Sequence, residues 1–168
     1  ILLILYSFTE MEEWTPDGHL DNVSRNKQIF NSTHKYLNSL SKDLKKKNVI
    51  KALQLTRYPV LKNSLKKKHK TLKFINMDKP FKKVVYQYNL SIHFFIGTPF
   101  FESIYLNRPT IIIFDKRVNF RLEKKFLSFI QKFKENGICF ESPNKAANFI
   151  NQNYNNLESW WKLPKRQK

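Results

Sequence analysis

The stretch that most limits the possible folds is Asn89 to Phe114, NLSIHFFIGTPFFESIYLNRPTIIIF. Ser91 to Ile96 is a short apolar run rich in β-formers, too short to stand as a helix. Gly97 allows a bend that a Cβ would resist. Thr98 suits an N-cap and Pro99 the first helical position, where no N–H is needed. Asn107, Arg108 and Pro109 stop the helix, and Thr110 to Phe114 is a second β-branched run. Together they predict a βαβ unit with a right-handed crossover. A helix then opens just past the carboxyl end of a strand, with free N–H groups and partial positive charge suited to phosphate.

The rest of the chain repeats that alternation. Strands are expected at Ile1 to Phe8, Ile50 to Thr56, Thr71 to Asn76, Ser91 to Ile96, Thr110 to Phe114 and Ile138 to Phe140. Between them, helical periodicity runs over Ser24 to Lys46, Val60 to Lys68, from Pro80, from Thr98 and up to Glu135. A last helix begins at Ser142-Pro143, after which Trp160 and Trp161 dock and a basic tail frays. Six alternations predict a Rossmann-like three-layer α/β/α fold: a parallel sheet of about six strands in the order 3-2-1-4-5-6. No repeat or low-complexity linker divides residues 1–168, so one domain is expected. Ligands of such sheets bind where strands one and four part. That borders the cleft with Thr9, Glu10, Arg57, Gly97, Thr98 and Glu102.

On the helix after Gly97, Phe100, Phe101, Ile104 and Tyr105 are expected to pack on the sheet. Glu102 falls on the other side, roughly 40° from Thr98 at about 100° per residue. It is either a solvated acid favoured by the helix dipole or a carboxylate facing a cleft, accepting hydrogen bonds from sugar or ribose hydroxyls. Arg57 is either a surface arginine or a bidentate partner for a diphosphate. His93, in an apolar strand, reads as a packed core residue. His34 reads as structural or solvated. Cys139 is the single cysteine, expected to be buried and inert, and suits a reducing cytoplasm. Asp17, His19 and Asp21 alternate in a polar loop, but without a second cluster they make a weak metal site, and no metal is expected. There is no GxGxxG after the first strand, no Walker loop, no GxSxG elbow and no HExxH.

The segment GTPFFESIYLNRPTIIIF resembles the C-terminal half of GT-B glycosyltransferases. It is more closely similar to a family of transferases found in surface-polysaccharide and O-antigen gene clusters. LTRYP at Leu55 to Pro59, NGICFESPNKAANFIN at Asn136 to Asn151 and the pair Trp160-Trp161 match that family in order. The resemblance implies a nucleotide-activated sugar donor and a polysaccharide or lipid-linked acceptor. Arg57, Gly97, Thr98, Glu102 and Ser103 would bind the donor and its phosphates. It implies no cofactor and no essential metal. The catalytic base would come from another half, expected upstream because 168 residues supply only one Rossmann-like unit.

The net charge of +18 leaves three readings open: contact with nucleic acid, an anionic membrane surface, or solvated lysines at helix ends. A non-enzymatic module binding RNA or another polyanion is thus the alternative to the transferase. No apolar run is long enough to span a bilayer.

Overall fold

Leu2–Leu5, apolar on both faces, forms β1 at the centre of a parallel sheet. Burial on both faces is what helices covering both sides of a sheet require. The computed structural model describes residues 1–5, 21–52, 59–75, 79–115 and 124–167. The strands that follow are β2 (Val49–Ala52), β3 (Lys73–Phe74), β4 (Ser91–His93), β5 (Thr110–Ile113) and β6 (Cys139–Phe140). Their order is β3-β2-β1-β4-β5-β6, with every pair parallel. Leu2 faces Val49 on one side and Ser91 on the other, so β1 and β4 are neighbours. The expected order is therefore found, and the fold is three-layer, α/β and Rossmann-like.

The helices are α1 (Asp21–Ser39), α2 (Lys42–Lys46), α3 (Pro59–Lys68), α4 (Phe81–Val85), α5 (Thr98–Tyr105), α6 (Lys124–Glu135), α7 (Pro143–Asn153), α8 (Leu157–Trp161) and α9 (Pro164–Gln167). Side chains of successive strand residues point to opposite faces, and His93 and Phe94 show which helices lie where. His93 meets the rings of Phe81 on α4 and Phe100 on α5, and Phe100 in turn meets Phe133 on α6. Phe94 meets Tyr36 on α1, which packs along α7.

Two expectations about helices are corrected. The helix expected to run unbroken to Lys46 stops at Ser39 and restarts at Lys42. Ser41 caps the new start through its hydroxyl, which accepts from the Leu44 amide at 3.4 Å. Asn151 of α7 bridges the break: its side-chain oxygen accepts from Ser41 N, and its amide donates to Ser39 O. The C-terminal tail is not frayed at Arg166. Its guanidinium lies over the Trp160 ring and donates to the carbonyls of Asn136 and Trp160.

Candidate functional site at the carboxyl edge of the sheet

β4 leads through Phe94, Phe95 and Ile96 to Gly97, the N-cap of α5. The helix thus begins one residue earlier than expected, with Thr98 in its first position and Pro99 in its second. Gly97 has φ −166° and ψ −179°, extended backbone that any residue adopts. Space is what requires glycine here: a Cβ would sit 2.5 Å from Cε2 of Phe95. The Gly97 carbonyl accepts from the amides of Phe100 and Phe101. Among the described residues no side chain caps the start of the helix.

Thr98 and Glu102 are both exposed, one turn apart on α5. They lie past the carboxyl end of β4, beside that of β1, where the crossover direction reverses. The structure therefore brings Gly97, Thr98 and Glu102 together. Thr9, Glu10 and Arg57 lie outside the described residues.

Ser103 sits elsewhere in the architecture. It is fully buried, donates to the Pro99 carbonyl at 2.8 Å and lies 3.2 Å from His93 Nε2. Ser91 Oγ joins the same cluster, 3.3 Å from Ser103 and 2.9 Å from Thr110 Oγ1. This polar cluster ties α5 to β4 and β5 and fixes the position of the Gly97 turn. His93 is completely buried, and burial pushes its pKa down to about 3, so the ring is neutral. The expected packing of α5 is corrected with it. Phe100 and Ser103 face the sheet, Ile104 is half-buried, and Phe101 and Tyr105 face outward. Phe101 and Tyr105, half of the expected stripe, point to solvent because the helix turns its Ser103 side to His93.

Sequence reasoning missed a polar hollow of about 610 Å³ at the same edge. Phe114 and Asp115 line it beyond β5, Glu141 and Ser142 beyond β6, Pro143 and Asn144 at the start of α7, and Ser32 and Lys35 on α1. Its only signal in the sequence was the Ser142-Pro143 helix start; the approach of α1 comes from tertiary packing. Glu102 does not line this hollow. Also missed was a buried histidine pair: His34 Nδ1 lies 2.8 Å from His69 Nε2. Burial lowers both, His69 to about 4. Cys139 is buried, and burial pushes its thiol up to about 12, leaving it protonated and unreactive.

Among the described residues no group of three His, Cys, Asp or Glu side chains could hold a metal ion. No helix among them is long and apolar enough to cross a membrane.

A doubly wound parallel sheet with a helix starting at its switch point defines a Rossmann-like α/β protein. The match that narrows this class is to the LIC12162 family transferase model, which covers residues 2–168; the chain belongs to that family of transferases. No curated protein and no solved structure matches the chain.

Proposed function

We propose that the protein moves a sugar or a related group from a nucleotide-activated donor to a surface-polysaccharide or lipid-linked acceptor, as the donor-binding half of a GT-B-like arrangement. The observation that carries this reading is the pairing of exposed Thr98 with exposed Glu102 on the helix that opens at the β1/β4 junction. In this reading the first turn of α5 faces the diphosphate. Its dipole and the Thr98 hydroxyl favour the negative charge that grows on the leaving group. Glu102 accepts hydrogen bonds from ribose or sugar hydroxyls. Arg57, in the LTRYP segment, supplies a guanidinium for the phosphates. The hollow beside α7 offers hydroxyl, amine and amide groups for a polyol.

The test is thermal stabilisation by UDP or CDP, compared with Thr98→Val and Glu102→Gln. A shift present in the parent protein and lost in both variants supports the reading. A random RNA oligonucleotide that binds with a steep salt slope, without any nucleotide effect, would instead make the chain a polyanion-binding module.

A further inference from the structure

We propose that the outer face of α4, α5 and α6 is the surface on which this protein lies against an anionic lipid bilayer. The exposed large apolar side chains among the described residues are not scattered. Tyr86 follows α4, Phe101 and Tyr105 stand on α5, and Phe129 on α6; Leu127, about 160° around α6 from Phe129, and Leu163 lie apart from them. Tyr105 is 88% exposed, which is far from the packing its position in an apolar helix would suggest. The rings form a continuous ridge across two helices. Phe101 lies 6.1 Å from Phe126, and Phe126 lies 5.9 Å from Phe129. Contiguous apolar surface of this kind marks a contact site, whereas single exposed apolar residues need no explanation.

Charge identifies the occupant. Lys82 and Lys83 are exposed on α4, and exposed Lys132 of α6 reaches over the Phe129 ring. Exposed Glu102 and Glu135 are the acids of α5 and α6. Lysine ammonium groups beside exposed apolar rings are what a headgroup layer above acyl chains favours. The net charge of +18 draws the whole chain to an anionic surface and opposes a second copy of itself on the same face. Single-stranded nucleic acid fits less well. It wants successive open ring faces in a basic groove, but Phe101 and Phe126 meet edge to face.

Thr98 and Glu102 share the outward side of α5 with Tyr105, so vesicle binding is measured without nucleotide and nucleotide stabilisation without lipid, and each reading can fail while the other stands. The test is co-sedimentation of the full chain with vesicles of phosphatidylcholine alone and of phosphatidylcholine with phosphatidylglycerol. Binding is expected to the anionic vesicles only, and to weaken as salt rises. Phe101→Ser with Phe129→Ser should reduce it by about tenfold or more, since a loss of about 1.4 kcal/mol of apolar burial is tenfold in affinity. Lys82→Glu with Lys83→Glu should reduce it as well. Thermal melts show whether each variant is folded. As a measurement that removes nothing from the fold, the indole introduced by Phe129→Trp should be quenched by lipids brominated on their acyl chains. Failure to bind anionic vesicles, binding that the phenylalanine variant leaves intact, or an unquenched indole each overturns the proposal. So does an RNA oligonucleotide that binds through the phenylalanines while vesicles do not.

Discussion

Ser103 Oγ on α5 lies 3.2 Å from His93 Nε2 on β4, and neither residue is accessible to solvent. A helix residue and a strand residue are thus joined in a buried polar cluster with Ser91 and Thr110, beneath the turn that presents Thr98. The hydroxyl also donates to the Pro99 carbonyl, one turn earlier in the same helix. Ser103→Ala should therefore destabilise the fold by about 1–2 kcal/mol, because it leaves a buried ring nitrogen with fewer partners. Chemical denaturation reads this directly. Ser103→Val should cost more, since it adds volume where the imidazole already packs.

The same histidine predicts an acid-sensitive fold. An unfolded histidine titrates near 6.5, whereas in the folded chain burial holds His93 down to about 3 and His69 to about 4, with His34 also lowered. Between those values the unfolded chain binds more protons than the folded one. Stability is therefore complete above pH 6.5 and is lost as the pH falls below it. Each such histidine costs about 1.4 kcal/mol per pH unit within its own window. Urea denaturation at pH 7.5, 6 and 5 should show a falling midpoint, in a range above the titration of ordinary carboxylates. A constant midpoint over that range would mean that these rings take up protons without unfolding.

Gly97→Ala separates space from backbone freedom. The extended φ of −166° places no strain on alanine, so any cost comes from the Cβ that would meet the Phe95 ring at 2.5 Å. Phe95 is itself buried, and its ring cannot move aside freely. A loss of about 1–3 kcal/mol is expected. Phe95→Leu should recover part of it in a double-mutant cycle, because it takes away the atoms in the way. Additive single-variant losses would show that the contact is not the reason for glycine at this position.

How much of this was legible beforehand depended on the range of the interaction involved. Local chemistry carried the β4–α5–β5 unit, because an apolar run, a Gly-Thr-Pro start and an Asn-Arg-Pro stop act on neighbouring residues. The strand order followed from alternation and handedness, which few topologies satisfy. The break at Ser41 was hidden because Leu37, Leu40 and Leu44 keep helical spacing across it; the residue that satisfies the broken ends, Asn151, lies on another helix. The outward aim of Phe101 and Tyr105 was hidden because an apolar count cannot see that Ser103 must reach His93. The His34–His69 pair joins residues 35 positions apart, and nothing near either one announces the other.

Asn107 ends α5 with φ +50°, a left-handed conformation that asparagine tolerates better than most residues. Its side-chain oxygen also accepts from Trp161 Nε1 at 2.7 Å, tying the loop between α5 and β5 to the buried tryptophan pair of α8. Two substitutions divide these roles. Asn107→Gly keeps the backbone at ease and loses only the bond to the indole, so a loss of about 1 kcal/mol is expected. Asn107→Ala loses the bond and also forces a Cβ into the left-handed region, at about 1–2 kcal/mol more. Thermal melts should rank the parent above glycine and glycine above alanine. Were alanine as stable as glycine, the chain would be leaving the left-handed turn at little cost, and the anchor would rest on the tryptophans' own packing. In either variant the Trp161 emission should shift, since the indole N–H loses its carboxamide partner.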